Sequence, residues 1–275
     1  MSTDSNQNVY NLFQHYTNVA SDYHVEPLFQ SPSSSHGQWL NTIIFDVLDL
    51  KRDHILTDVG CGSGIDCLWF LNKMNNEIKI IGCDPSLGMI EIFNSEIKER
   101  NLTNIVQAFC MDAVIFSQQK ELPAYNRLLL KHCVHLLSHS ERLLAFKGFR
   151  QQLNSNDNKL IIVTRAPKEI FPLDKRTHEI HKSVSPSIDN YVQELEMCGF
   201  TNIKYDTYQY TFDDSVTLDD WINLIKKRLW SIFSIEKINE EQMIDLISYL
   251  KETYKHQKFQ MKDEIIILHC TTMNY

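Results

Sequence analysis

The chain has 275 residues, of which 43% are hydrophobic and 23% are charged, and its formal net charge is −8. That composition can fill a sizeable core, organised as one large domain with or without an insertion. An acidic chain without a dense Lys/Arg block disfavours a nucleic-acid partner and an anionic membrane surface, and no apolar stretch is long enough to span a bilayer.

The N-terminal sequence and the cysteines bear on the cellular compartment. The start "MSTDSNQNVYNLFQ" lacks the basic flank and apolar centre of a secretory signal. The cysteines number 7, form no CxxC motif and lie mostly within apolar runs, which predicts buried, reduced thiols. We therefore expect a cytoplasmic protein.

Residues 1 to 50 are predicted to form helices that cover a ligand site. After a polar start, expected to be loose up to residue 8, Tyr16, Ala20 and Tyr23 recur at helical spacing along one face. The segment "QSPSSSHG" indicates a loop, and "QWLNTIIFDVLDL" carries the apolar periodicity of a second amphipathic helix.

Residues 51 to 211 alternate between short apolar segments and helical patterns, and form the predicted core. Apolar segments with continuous hydrophobic centres are typical of parallel strands that helices cover on both faces of a sheet. Six such strands are predicted, in "HILTDV", "EIKIIGCD", "NIVQAFCMD", "NRLLLKHCV", "NKLIIVTRA" and "TNIKYDTYQYTF".

Two further segments complete the chain. Residues 212 to 260 are too long for a hairpin connection and are predicted to form a helical insertion or cap. Their apolar residues have helical spacing, at Met243, Ile247, Leu250 and Tyr254. Residues 261 to 275 contain the seventh predicted strand, "DEIIILHCTT".

Several residues mark the ends of helices in the second half of the core. Ser138 or Ser140 is a suitable N-cap for the helix in "HSERLLAFKGFRQQL". Ser185 followed by a proline predicts the start of another helix, and Gly199 predicts its end.

The densest glycine cluster, "VGCGSG", follows the first predicted strand, where parallel sheets form their ligand crevices. A dinucleotide-binding turn has the pattern G-x-G-x-x-G, whereas Gly60, Gly62 and Gly64 form G-x-G-x-G and Ile65 takes the sixth place. Asp58 precedes the first glycine by two residues. A carboxylate there is unfavourable beside a pyrophosphate and favourable beside an amine, so these residues predict a ligand without phosphate groups.

Two further acids end the second and third predicted strands. Asp84, twenty residues after Gly64, has the spacing at which a carboxylate accepts hydrogen bonds from both ribose hydroxyls of a nucleoside. Asp112 can accept a hydrogen bond from the exocyclic amine of an adenine. One amine, one ribose and one adenine together describe S-adenosylmethionine.

Four segments in this order, "LTDVGCGSG", "IIGCDPSLGMI", "CMDA" and "NRLLLKHCVHLL", resemble the class I S-adenosylmethionine-dependent methyltransferases of the small-molecule type. The resemblance covers roughly residues 9 to 210, with the core motifs between 55 and 165. It implies an α/β, Rossmann-like fold with a seven-stranded, mostly parallel sheet, an antiparallel last strand and helices on both faces. The helical insertion lies between strands 6 and 7 of this sheet.

The resemblance also implies which residues bind S-adenosyl-L-methionine. Asp58 and the three glycines would hold the methionine end, Asp84 the ribose and Asp112 the adenine. No metal site is expected, because Asp219 and Asp220 are interpreted as charges at a helix N-terminus. The full expected cofactor-binding set is Asp58, Gly60, Cys61, Gly62, Gly64, Asp84, Pro85, Met89, Asp112, Ala113, Lys131, Tyr16 and Tyr23.

Four aromatic side chains have two possible roles each. Tyr16 and Tyr23 either hold a sulfonium cation or pack their helix on the sheet. His132 and His135 are either the general base for an acceptor that must lose a proton or hydrogen-bonded histidines at a loop start. His135 is preferred, because His132 is expected to point into a helix layer. A shared metal is disfavoured, because residues three apart on a strand face opposite sides.

The predicted function is methyl transfer from S-adenosylmethionine to a small-molecule nucleophile through nitrogen, oxygen or sulfur. One alternative is a non-catalytic binding protein that keeps this fold. Another is an NAD-dependent oxidoreductase, which Ile65 and Asp58 oppose. The sequence leaves the acceptor and the oligomeric state open.

Overall fold

A seven-stranded sheet in the order β3-β2-β1-β4-β5-β7-β6 organises the molecule, in a computed structural model that describes residues 3–30, 34–153 and 157–272. Neighbouring strands from β1 to β5 are parallel, whereas β7 is antiparallel to both β5 and β6. The predicted fold class, with its antiparallel last strand, is confirmed. The strands are β1 (Ile55–Val59), β2 (Lys79–Asp84), β3 (Val106–Cys110), β4 (Arg127–Lys131), β5 (Lys159–Thr164), β6 (Phe200–Thr211) and β7 (Lys262–Thr272).

Helices cover both faces of the sheet, because successive residues of each buried strand point to opposite sides. The helices are α1 (Thr3–His24), α2 (Ser35–Leu48), α3 (Ile65–Lys73), α4 (Leu87–Glu99), α5 (Ala113–Ser117), α6 (His139–Gln152), α7 (Lys175–Val184), α8 (Ile188–Met197), α9 (Leu218–Lys226) and α10 (Glu240–Thr253). On β4, Leu129 packs into the core formed with α2, α3 and α4, while Leu128 and Leu130 pack into the core formed with α5, α6 and α8.

The insertion between β6 and β7 contributes α9, α10 and the 3₁₀ turn Ser231–Phe233 to a third core, which also includes Phe29 and Phe171 from outside the insertion. Its centre is Trp221, which is fully buried and donates its indole N–H to the carbonyl oxygen of Pro172 at 2.9 Å. Met243 and Leu250 of the predicted apolar stripe are buried, together with Leu246. The helical insertion predicted between strands 6 and 7 is confirmed.

The helix ends in the core agree only in part with the sequence predictions. Ser138, rather than Ser140, is the N-cap of α6, and it forms a capping box with Glu141. Gly199, with φ at +83°, follows the end of α8 as predicted. The predicted start at Ser185 is wrong, because Ser185 ends α7 and Ser187 caps α8 through the backbone N–H of Asn190.

Two predictions about the N-terminal region also need correction. Helix α1 begins at Thr3 within the segment expected to be loose; residues 1 and 2 lie outside the described chain. Helix α2 begins at Ser35 with Ser34 as its N-cap, so the end of the predicted loop is helical. Residues 31–33 of that loop lie outside the described chain.

The cysteines of the described chain are free thiols, and five of them are buried. The prediction of buried thiols is wrong for Cys110, which is exposed at the end of β3, and holds only in part for Cys133. Across the described ranges, no helix is long and apolar enough to cross a membrane.

Candidate functional site

Two cavities meet at the loop that follows β1, where the carboxyl ends of the parallel strands share one edge of the sheet. Cavity A has a volume of about 360 Å³ and is lined by residues that include Asp84, Met89 and Asp112. Cavity B has a volume of about 140 Å³ and is lined by residues that include Asp58 and His135. Six residues line both, namely Tyr16, Tyr23, Gly60, Gly62, Lys131 and His132.

The three glycines of the loop have different functions, although all three have a positive φ. A Cβ on Gly60 would lie 2.5 Å from the Cβ of Cys133, and one on Gly64 would lie 2.0 Å from the ring of Phe93. A Cβ on Gly62 would contact only the sulfur of Met89, at 3.9 Å. Packing therefore requires Gly60 and Gly64, whereas Gly62 presents bare backbone to both cavities; Gly64 lines neither of them.

Asp84, at the end of β2, braces this loop. One carboxylate oxygen accepts a hydrogen bond from the backbone N–H of Gly62 and the other from that of Ser86, both at 2.9 Å. Burial raises the pKa of Asp84 to about 6, although these two hydrogen bonds oppose the shift. The carboxylate lines cavity A and keeps free lone pairs for a ligand.

Asp58, on β1, is 2% exposed and lines cavity B. Its Oδ2 accepts a hydrogen bond from the thiol of Cys67 at 3.2 Å, whereas Oδ1 is buried without a hydrogen-bond partner among the described residues. Burial, and then the charge of Asp66, raises the pKa of Asp58 to about 7. A cation in cavity B would supply the missing partner and favour the ionised form.

Other residues of the expected cofactor set occupy the floor of cavity A. Asp112 is the N-cap of α5, and its Oδ1 accepts hydrogen bonds from the backbone N–H groups of Val114 and Ile115, both at 2.9 Å. Pro85, Met89 and Ala113 line the same cavity. The lining of cavity A is therefore largely apolar and includes the carboxylates of Asp84 and Asp112.

Cys61 and Lys131 lie where α3 approaches the loop. The thiol of Cys61 contacts the carbonyl oxygen of Gly62 at 3.6 Å, and the residue lines cavity B. The ammonium of Lys131 forms an ion pair with Asp66 at 2.8 Å and a hydrogen bond with Asn41 at 3.3 Å. Its charge is thus neutralised within the protein.

Helix α1 brings Tyr16 and Tyr23 to the junction of the cavities. Their ring centroids are 6.1 Å apart and nearly perpendicular. The hydroxyl of Tyr16 is hydrogen-bonded to Ser231, and the hydroxyl of Tyr23 is hydrogen-bonded to Gln30. Because burial raises the pKa of both phenols, they present neutral hydroxyls and aromatic faces to the cavities.

The two candidate histidines follow the end of β4. The chain turns immediately, since His132 has φ at +54°, and both histidines line cavity B. The expectation that His132 points into a helix layer is therefore wrong. Burial, and then the charge of Lys237, lowers the pKa of His135 to about 3, and burial lowers the pKa of His132 well below its ordinary value. Both imidazoles are neutral at physiological pH.

Sequence reasoning missed Arg165, which follows β5 and lines cavity B. Its guanidinium pairs with both carboxylate oxygens of Asp263, at 2.8 and 2.7 Å. It also lies over three aromatic rings, those of Phe29, Phe171 and Trp230, at 5.1 to 5.7 Å. The position of Arg165 at the carboxyl end of a predicted strand could have indicated a site residue. Its contacts could not be predicted from the sequence, because its partners come from distant segments.

No group of three or more His, Cys, Asp or Glu side chains in the described part of the chain could hold a metal ion. Asp219 and Asp220 lie in the first turn of α9, and Asp220 forms a capping box with Thr217. These two acids thus have the helix N-terminal role expected of them.

The sheet order, the glycine loop after β1 and the acids at the strand ends together define a class I methyltransferase fold. The chain carries a methyltransferase domain, since residues 56–156 match the family model described as "Methyltransferase domain". The methyltransferase class predicted from the sequence motifs is confirmed, whereas its small-molecule type stays a prediction.

Known proteins with similarity to this chain agree with that class. The methyltransferase GfsG of Streptomyces halstedii is 26% identical over 97 residues, which are 35% of this chain and 34% of that protein. The chain therefore matches about a third of the length of this curated relative.

Two solved structures share the fold at low sequence identity. The [4+2]-cyclase SpnF is 17% identical with a TM-score of 0.62, over 96% of this chain and 94% of that one. Phosphoethanolamine N-methyltransferase 2 of Haemonchus contortus, in complex with phosphomonomethylethanolamine and S-adenosylhomocysteine, is 13% identical with a TM-score of 0.61. That alignment covers 94% of this chain and 57% of the other.

Proposed function

We propose that this protein transfers a methyl group from S-adenosylmethionine to a small-molecule acceptor. The observation that carries the proposal is the Oδ1 atom of Asp58, which is buried in cavity B without a partner among the described residues. A buried carboxylate oxygen without a partner is costly, and the ammonium group of a methionine moiety is a fitting partner.

The residues of cavity A fit the remainder of the cofactor. Asp84 would accept hydrogen bonds from the ribose hydroxyls, and Asp112 with Met89 and Ala113 would hold the adenine. Gly62, with no side chain in either cavity, would lie beneath the methionine end. S-adenosylmethionine supplies a methyl group on a positively charged sulfur, and the aromatic faces of Tyr16 and Tyr23 are suited to that charge.

We also propose that residues 1 to 50 and 212 to 260 cover the cleft. Trp230, Ser231 and Ile232 line cavity B, and the hydrogen bond between Tyr16 and Ser231 joins the two covering segments. Exclusion of water and alignment of the acceptor are the main requirements of methyl transfer. A cavity of about 140 Å³ suits a small acceptor.

The predicted general base is the least supported part of this function. An effective base has a pKa near the working pH, whereas that of His135 is lowered to about 3. We propose that the acceptor either needs no base or raises this pKa when it binds. Comparison of the pH–rate profiles of wild type, His132→Asn and His135→Asn tests whether a histidine acts as the general base. A loss of ~10²–10⁴ in rate with retained cofactor affinity would support the predicted general base.

Calorimetric titration with S-adenosylhomocysteine tests the cofactor assignment. Asp58→Asn should weaken binding by about 10- to 100-fold, because a charge-assisted hydrogen bond is lost. Asp206→Asn, an exposed acid on β6, is the matched control and should bind as wild type. Binding of NAD but not of S-adenosylhomocysteine would replace this proposal with the oxidoreductase alternative.

A second candidate function rests on the similarity to SpnF, a [4+2]-cyclase whose alignment covers nearly the whole chain. A protein of that kind would keep the fold without transferring a methyl group. Mass-spectrometric screening of metabolites with S-adenosylmethionine separates the two, because only methyl transfer converts the cofactor to S-adenosylhomocysteine and adds the mass of one CH₂ group to an acceptor.

A further inference from the structure

Three imidazoles line cavity B. His132 follows β4, His135 lies in the 3₁₀ turn Val134–Leu136, and His181 comes from α7. Arg165 lies beside them, held by Asp263 and by three aromatic rings. Four nitrogen-bearing side chains, His132, His135, His181 and Arg165, thus form one wall of the cavity, the imidazole wall.

One contact, with Arg165, assigns the proton on His132. Arg165 can only donate, and its Nη1 lies 3.5 Å from Nδ1 of His132, so Nδ1 is the acceptor. The neutral ring therefore carries its proton on Nε2. That Nε2 atom is buried and has no hydrogen-bond partner among the described residues, which leaves a buried N–H donor on a residue that lines both cavities.

Asp263, the acid whose charge opposes the lowering of the His132 pKa, already has its own partners. Asp263 is committed to Arg165 and to Nε2 of His36, at 2.9 Å. Burial, and then positive neighbours, lowers the pKa of His135 to about 3 and that of His181 to about 4; Lys237 acts first on His135 and Arg165 on His181. The imidazole wall thus combines the N–H donor of His132 with neutral imidazoles and the guanidinium of Arg165.

We propose that the methyl acceptor carries an oxyanion, a carboxylate or a phosphate, which binds at the imidazole wall and accepts a hydrogen bond from Nε2 of His132. This inference rests on the proposed function for its use as an acceptor site. An oxyanion supplies the partner that the buried donor lacks and would favour protonation of the neighbouring imidazoles. Asp58, whose Oδ1 atom also lacks a partner among the described residues, lines the same cavity and would receive a cation.

The test uses the full chain saturated with S-adenosylhomocysteine, so that the carboxylate of the cofactor itself occupies its own site. Inorganic phosphate and acetate are titrated separately at constant ionic strength, up to about 50 mM, because a single oxyanion binds in the millimolar range. Histidine ring signals in NMR spectra report binding. We expect saturable shifts at His135 and His181 with one of the two probes, which distinguishes phosphate from carboxylate.

Variants of His132 test the donor. His132→Phe should weaken oxyanion binding by about ten-fold or more, and His132→Gln, which keeps an N–H at a similar reach, should restore most of it. His178→Phe, on α7 but outside cavity B, is the control and should bind as wild type. Absence of saturable binding of either probe to the wild type, or full affinity in His132→Phe, would overturn the proposal.

The oxyanion site and the proposed methyltransferase function can be tested independently of each other. If S-adenosylhomocysteine fails to bind, the methyltransferase proposal fails, and the same titration on the unloaded protein still decides whether the wall binds an oxyanion. If S-adenosylhomocysteine binds and both probes fail, only the acceptor inference is overturned.

Discussion

Cavity A and cavity B meet at Gly62 but are built in different ways. Apart from α1, the lining of cavity A comes from residues 59 to 141, at the ends of consecutive strands and the starts of the helices that follow. The lining of cavity B spans residues 16 to 232 and joins α1, α2, β5, α7 and the insertion. A local motif can specify the first cavity, whereas the second exists only after the distant segments have packed.

The electrostatic character of the cavities differs in the same way. Cavity A is largely apolar, and two of its carboxylates, Asp84 and Asp112, are braced by backbone N–H groups. Cavity B combines a carboxylate oxygen and an imidazole N–H that both lack partners among the described residues. The proposed cofactor accounts for the first of these atoms, and the second calls for an acceptor with its own charge.

Loss of Arg165 should have the largest effect and tests whether cavity B depends on a buried ion pair. Arg165→Met leaves the buried carboxylate of Asp263 with His36 as its remaining side-chain partner, and this loss of the guanidinium should reduce the free energy of unfolding by about 3–5 kcal/mol in urea titrations. Lys168→Met, which removes an exposed lysine paired with Glu264, is the control and should cost about 1 kcal/mol or less. Equal effects in the two variants would contradict a structural role for the buried pair.

Substitution of Gly62 and of Gly64 tests whether the two glycines of the loop have different roles, one in ligand binding and the other in packing. Gly64→Ala should reduce the free energy of unfolding by about 2–4 kcal/mol, because its Cβ would overlap the Phe93 ring at a positive φ. Gly62→Ala should cost only about 1 kcal/mol from its positive φ and should instead abolish binding of S-adenosylhomocysteine. Chemical unfolding and calorimetry on both variants measure the two effects. Similar behaviour of the two would mean that Gly62 has no ligand role.

Asp84→Ala should weaken binding of S-adenosylhomocysteine by ~1–3 kcal/mol, the contribution of hydrogen bonds to a charged acceptor. The same variant also frees the N–H groups of Gly62 and Ser86, so circular dichroism and thermal unfolding accompany the calorimetry. Unchanged affinity in a folded variant would remove the ribose assignment from cavity A.

The smallest expected effect is the release of a proton from Asp58 when the ligand binds. The pKa of Asp58 is raised from 3.8 in the unfolded chain to about 7 in the folded protein. Between pH 3.8 and about pH 7, Asp58 is therefore protonated in the folded state and ionised in the unfolded state. The stability that this group contributes is therefore largest at low pH and decreases as pH rises towards 7. A ligand ammonium favours the ionised carboxylate, so binding should release a proton and strengthen as pH rises through about 7.

Calorimetry in two buffers with different ionisation enthalpies measures this release. At pH 6 the wild type should release about one proton more than Asp58→Asn, and the difference should vanish above about pH 8. An identical proton balance in the two proteins at pH 6 would place the ligand cation away from Asp58.

The sequence alone determined the sheet and the position of the loop. Continuous apolar strands separated by amphipathic helices admit few arrangements other than a covered parallel sheet, and strand ends bring Gly62, Asp84 and Asp112 to one edge whatever the packing of the rest. Local signals also limited the cap of α6 to Ser138 or Ser140 and specified the end of α8 at Gly199, because capping depends on residues within one turn.

Only the tertiary structure decided what each of these residues does. The sequence treats Gly60, Gly62 and Gly64 alike, and the neighbours Cys133 and Phe93, distant in the chain, separate packing from exposure to a ligand. The proton position on His132 depends on Arg165, which lies 33 residues further along the chain. Side-chain burial and charge pairing arise from contacts between elements, which is why the pKa values in cavity B could not be predicted from sequence spacing.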